Sequence, residues 1–247
     1  MKVKHTIAAI LLLLSSSVLS RSSIKECGDT QLPTYVKTDK SFDFAQACSA
    51  VETAIKFAKE KSFLVQDTTI SIKYKKSSTN GYEFPNNFNK SATNYSQVIS
   101  NGKDLIEMSS FYSEDVHSTE RSNFGLNVHT SNQYSERQRV MILTALHHSV
   151  IVHETIHVLL NSYLKERPSL KLSYGEKEAI AYIGQLESIS PSLRKIIIDL
   201  NQDILDRNFG YQDLVNHIEN ENDQDLGINA FYKYTNGSLK VKELLRL

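Results

Sequence analysis

From Glu136 to Tyr163 the chain runs without a proline or a glycine. The second half of that run is apolar on both flanks, with Val150, Ile151 and Val152 before its centre and Val158, Leu159 and Leu160 after it. Nothing here interrupts a helix, and Ser135 followed three residues later by Gln138 makes a capping box to start one. A helix apolar on nearly every side has to lie inside the protein. The run is long for one globular helix, so a break near His147 to Ser149 is expected.

At the centre of the run stands His153-Glu154-Thr155-Ile156-His157. Residues four apart on a helix lie one above the other, so both imidazoles can reach a single zinc ion at about 2.0–2.1 Å. Glu154, turned about a third of a circle away, can act as general base towards water without becoming a ligand. Two histidines and a glutamate in a buried helix need partners, because burying them unpaired is costly. Zn2+ supplies one, and a catalytic zinc site then needs a third protein ligand and one open position. His147 and His148 do not share the ligand face of His153 as His157 does, and are expected to be structural.

Around this helix the pattern divides in two. Ser41 to Lys61 carries Phe44, Ala45, Cys48, Val51, Ala54, Ile55 and Ala58 at a helical period. Short β-prone stretches follow at Phe63–Lys75, Gln97–Ser100 and Asp104–Met108, separated by Asn, Gly and Ser clusters, and then a polar stretch from Ser113 to Tyr134. Beyond Pro168 the chain is mainly helical. Helices are expected over Tyr174–Ser188, from Ser190 and Pro191 onward with an N-cap and first-turn proline, near Tyr211–Asn220 and near Leu239–Leu245.

Lysine plus arginine and aspartate plus glutamate both total 28, and 40% of residues are hydrophobic. That balance describes a globular chain and argues against nucleic acid as partner, since no basic surplus exists to neutralise phosphates. Residues 1–20 read as a signal peptide: Lys2 and Lys4 form the basic start, Ile7 to Leu14 the apolar run and Ser15 to Ser20 the small-residue approach to cleavage before Arg21. The apolar run is well short of the roughly 20 residues that span a bilayer. Removing residues 1–20 takes away two lysines and no acidic residue, which leaves a slightly acidic, secreted or periplasmic single domain over residues 21–247 with no membrane span. Cys27 and Cys48 are then expected to form a disulfide in an oxidising compartment. Asn89, Asn94 and Asn236 head Asn-x-Ser sequons. The acidic segment Asn220 to Asp225 lacks the glycine and terminal glutamate of an EF-hand loop.

The stretch from Val150 to Gln185 resembles the zincin metallopeptidases. Metzincins add a glycine and a third histidine where this chain has Leu160 and Tyr163, and nothing between Asn161 and Ser190 supplies an aspartate of the aspzincin kind. The gluzincin pattern is left, which implies a glutamate on a following helix as third ligand. Glu176 and Glu178 compete. Ser173 with Glu176 makes a capping box that directs Glu176 back to the helix start, whereas Glu178 lies one turn inside beside Ala181 and Tyr182, so Glu178 is favoured. The chain departs from thermolysin-like enzymes in having Tyr182, not an acidic residue, four positions after Glu178. Tyr182, Tyr174 and His217 are the candidates for stabilising an oxyanion, with Tyr182 on the face of Glu178 taken as the catalytic choice. The resemblance implies an α+β, zincin-like fold: a small N-terminal mixed sheet with the active-site helix, followed by a mainly helical C-terminal part. It also implies a zinc metallopeptidase acting on a peptide or protein substrate, with His153, His157 and Glu178 on the metal and Glu154 catalytic. Lys103–Ser110 would be the sheet edge that receives an extended peptide. An exported zincin-fold binding protein without turnover is the alternative.

Overall fold

The computed structural model describes residues 23–38, 40–75, 99–100, 103–109, 124, 126, 134–205, 209–219 and 222–247. The signal peptide, Asn89, Asn94, Ser110 and most of the polar stretch lie outside them.

The N-terminal part is a small mixed sheet. Its strands are β1 (Ser23–Glu26), β2 (Thr34–Thr38), β3 (Ile70–Lys75), β4 (Ile99–Ser100) and β5 (Lys103–Ser109), in the order β1-β2-β3-β5-β4. β1 and β2 form an antiparallel pair, β2, β3 and β5 run parallel, and β4 returns antiparallel to β5. The parallel pairing of β2 with β3 requires a crossover, which helix α1 (Ser41–Glu60) provides. Val36, Ile72 and Ile106 stand in register across the three parallel strands and are all buried. The sheet had been expected to start only at Phe63. Instead β1 and β2 precede it, and the 63–75 stretch forms a strand only from Ile70.

On α1 the small residues Ala47, Ala50, Ala54 and Ala58 are fully buried. Such a stripe brings other elements close, and α1 packs against both β2 and helix α2 (Glu136–Glu166). α2 is one unbroken helix of 31 residues, so the break expected near His147 to Ser149 does not occur. The polar Ser149 at that point fits without interrupting the ladder. Its hydroxyl donates to the carbonyl of Leu146 at 2.8 Å and accepts from Gln185 Nε2 at 3.4 Å. Every residue from 151 to 160 is buried, which makes α2 the central post of the core.

Helix α3 (Tyr174–Ser188) folds back on α2. After it come α4 (Pro191–Leu200), α5 (Gln202–Leu205), α6 (Tyr211–Asn216), α7 (Asp223–Thr235) and α8 (Val241–Leu244). α7 was not foreseen. It packs along α3 and buries Leu226, Ile228, Ala230 and Phe231. The architecture is therefore α+β, with a small mixed sheet at the N-terminal side and a mostly helical C-terminal part. No helix among the described residues is long and apolar enough to cross a membrane.

The strand proposed as the open edge is not outermost. β5 lies between β3 and β4, although β4 covers only Lys103 and Asp104 among the described residues.

Cys27, just after β1, is disulfide-bonded to Cys48 in α1, with Cα atoms 5.6 Å apart. The bond closes a loop of 21 residues that contains β2, so it ties the sheet's first hairpin to the helix that covers it. Closing a loop of this size removes chain entropy worth about 3 kcal/mol from the unfolded state. Replacing both cysteines by alanine should lower unfolding stability by about that amount. Denaturant titration of the two proteins checks it, and equal midpoints would contradict it.

Candidate metal centre

Two helices meet to form the site. α2 presents His153 and His157 one turn apart, and α3 presents Glu178. Ser173 sets the register of α3: its hydroxyl accepts from the Glu176 N–H at 3.2 Å, and its own N–H donates to Glu176 Oε2 at 2.7 Å. The capping box therefore turns Glu176 back towards the helix start. Its Oε1 accepts from the Tyr211 hydroxyl and from Arg246 Nη2 at 3.2 Å. With both oxygens engaged outside the site, Glu176 is not among the groups gathered at the histidines.

Glu178, two residues on, points at α2. Its Oε1 lies 3.2 Å from His157 Nε2, its Oε2 3.3 Å from His153 Nε2, and the two Nε2 atoms are 3.0 Å apart. All three residues are buried. Ligands held tetrahedrally at about 2.0–2.1 Å from a zinc ion stand about 3.3 Å from one another. Each imidazole nitrogen thus stands from its partner nitrogen and from one Glu178 oxygen at about the spacing of two corners of a metal site, and the group could hold a metal ion.

The charges fit the same picture. Burial by itself would push the Glu178 carboxyl up, yet His157 and His153 hold it well below the usual carboxylate range. Burial would likewise lower His157, and Glu178 outweighs it and raises the imidazole. Glu154, next to His153 in sequence and itself buried, is pushed up chiefly by burial; the two imidazoles oppose that push and Glu178 adds to it. A hard-to-ionise carboxyl beside a cluster of potential ligands is suited to moving a proton.

Beyond Glu178 the same face of α3 carries further polar groups. Tyr174, Glu178 and Tyr182 succeed one another at four-residue spacing, so they form one row. Tyr174 donates its hydroxyl to Asp223 Oδ2 at 3.1 Å, and its ring stacks on His217 with centroids 6.0 Å apart. His217 Nε2 lies 2.7 Å from Asp223 Oδ1. Burial together with the nearby Glu178 and Asp223 charges pushes the Tyr174 hydroxyl far up, and burial raises Asp223. Gly175 is what lets His217 reach this position. A Cβ there would lie 2.7 Å from His217 Cβ and 2.2 Å from the Leu214 carbonyl oxygen.

Tyr182 closes the other end of the row. Its ring stands edge to face with His153, centroids 4.5 Å apart and planes at 71°, and also meets Phe124 edge-on at 6.2 Å. His147 instead stacks on Tyr74, and His148 Nε2 lies 3.4 Å from Ser49 Oγ on α1.

Sequence reasoning reached Tyr174 and His217 but not Asp223, which joins them. The signal was present in weak form, since an acidic residue behind Asn222 suits the first turn of a helix.

No known protein family, curated protein or solved structure matches this chain.

Glu178→Ala should weaken Zn2+ binding by more than the roughly 10–100-fold that loss of an outer-shell partner costs, whereas Glu176→Gln should leave it nearly unchanged. Competition against a chromophoric chelator measures both. Protons compete with metal at the histidines, and Glu178 strengthens the hold of His157 on its proton. Affinity should therefore fall as pH is lowered through neutrality, and a flat profile between about pH 8 and pH 6 would contradict this ligand set.

Proposed function

We propose that the chain is an exported zinc-dependent peptidase with a zincin-like, gluzincin-type centre. One observation carries the reading: the buried His153 and His157 hold their Nε2 atoms 3.0 Å apart, and the two Glu178 oxygens lie 3.2 and 3.3 Å from them, one oxygen to each, with the buried Glu154 beside them on the same helix turn. Nitrogen and carboxylate donors at this spacing suit Zn2+. When bound, zinc supplies Lewis acidity towards a carbonyl oxygen and makes water a stronger acid.

The protein's own groups supply the rest. Glu154 takes the proton from the attacking water and returns it to the leaving amine. Its burial favours this, because a carboxyl with a raised pKa both accepts and gives protons closer to neutral pH. Asp223 holds His217 and Tyr174 together near Glu178, which places a hydrogen-bonded polar cluster beside the candidate site. Export is supported by the basic-then-apolar start of the chain and by the Cys27–Cys48 disulfide, which belongs in an oxidising compartment.

Glu154→Gln should keep stoichiometric zinc and lose at least 10²–10⁴-fold in hydrolysis of a mixed peptide library. The wild-type activity should vanish with chelator and return with Zn2+. A wild-type protein that binds zinc and cleaves nothing in the library would support the binding-protein alternative and overturn the enzymatic reading.

A further inference from the structure

His153 reaches the proposed metal with Nε2, and its other ring nitrogen is left without support. Nδ1 is buried and has no hydrogen-bond partner among the described residues. A metal-ligating imidazole ordinarily has its ring plane fixed by a hydrogen bond at the non-ligating nitrogen. Here something else must hold the ring.

Tyr182 is placed to do so. It sits one turn beyond Glu178, so the helix turn that delivers the carboxylate also delivers an aromatic ring to His153. The two rings meet edge to face at 4.5 Å and 71°, a favourable quadrupole arrangement that constrains both planes. The tyrosine ring is itself held. Phe124 meets it edge-on, and α7 passes so close that a Cβ on Gly227 would lie 2.3 Å from Tyr182 Cγ and 2.6 and 2.7 Å from its two Cδ atoms. The backbone of α7 therefore presses on Tyr182, and Tyr182 on His153.

We infer that Tyr182 is a positioning residue: its ring, seated on Gly227, sets the plane of His153 for metal binding in place of a hydrogen-bond acceptor. The inference rests on the reading of His153, His157 and Glu178 as a metal site. It assigns the work to the ring and none to the hydroxyl. It also makes Gly227, which touches no ligand, a determinant of metal affinity.

The test measures Zn2+ affinity by chelator competition, and the visible absorption of the Co2+-loaded protein, for wild type, Tyr182→Phe, Tyr182→Leu and Gly227→Ala. Tyr182→Phe should match wild type within about twofold and keep the Co2+ bands. Tyr182→Leu should weaken Zn2+ by about 10–100-fold and shift the bands. Gly227→Ala should move both readouts the same way, although alanine favours helix over glycine. Thermal unfolding of the metal-free proteins shows which variants are folded; if Tyr182→Leu is not, Gly227→Ala against Tyr182→Phe decides. Wild-type affinity and spectrum in Tyr182→Leu or, where that variant is unfolded, in Gly227→Ala overturn the inference, as does a loss in Tyr182→Phe equal to that in Tyr182→Leu. A wild type that takes up no stoichiometric zinc overturns the metal site itself, a different result from any of these.

Discussion

Glu178 is the counter-charge that allows α2 to carry His153, Glu154 and His157 into the core. Every residue from 151 to 160 of that helix is buried, so its polar groups have no water to solvate them. An uncompensated charge in such a place costs several kcal/mol, and a partner at hydrogen-bond distance recovers it only if the geometry is good. The Glu178 carboxylate meets both imidazoles at 3.2–3.3 Å, one oxygen to each. Without metal this is a buried ion pair sharing protons. A divalent ion in the same place would replace the proton and satisfy all three groups together, which is why the arrangement makes more sense as a binding site than as a device for stability.

The position of Glu178 depends in turn on how α3 begins and on what lies behind it. Ser173 and Glu176 fix the start of the helix, and Glu176 is held there by Tyr211 and Arg246. α7 backs the opposite side. Asp223 and Gly227, four apart on α7, face Tyr174 and Tyr182, eight apart on α3. One helix thus supplies an acceptor at one end of the polar row and a close approach at the other. The site is a two-helix ligand set supported by a third helix that contributes no ligand.

How much of this could be read from the sequence follows from where each signal is stored. The five-residue motif, the capping box that separates Glu176 from Glu178 and the disulfide are local or compositional, and they were legible. The break expected in α2 was a length argument, and length yields when the second half of the helix is buried and Ser149, at the expected break, bonds within it and to Gln185. β2 did carry an alternation, with Thr34, Val36 and Thr38 inward and Tyr35 and Lys37 outward, but five residues after a proline are a faint pattern. β1 has no such pattern at all. Its order comes from pairing with β2 and from the bond at Cys27. α7 was missed because Gly227 and Asn229 weaken its intrinsic helicity, and packing against α3 overrides that preference. The zincin resemblance was read from the motif and its surroundings, and no relative or solved structure adds to it.

Two cross-links of different chemistry, one present and one proposed, would hold separate parts of this fold together. The disulfide joins β1 to α1, and a metal at His153, His157 and Glu178 would join α2 to α3. The disulfide stabilises by restricting the unfolded chain and a metal would do so by binding the folded chain alone, so each adds stability that depends on conditions outside the sequence: redox poise for one, free metal for the other. A metal present at about 1,000 times its dissociation constant would contribute about 4 kcal/mol, comparable to the disulfide. The two acts of stabilisation do not substitute for each other, because the disulfide joins β1 to α1 and the candidate ligands lie on α2 and α3. In an oxidised, metal-free chain α2 and α3 would still pack on each other and share the Gln185–Ser149 bond, while His153, His157 and Glu178 would be held together by shared protons alone. Loss of a metal would therefore be felt most where α2 and α3 meet at the candidate site.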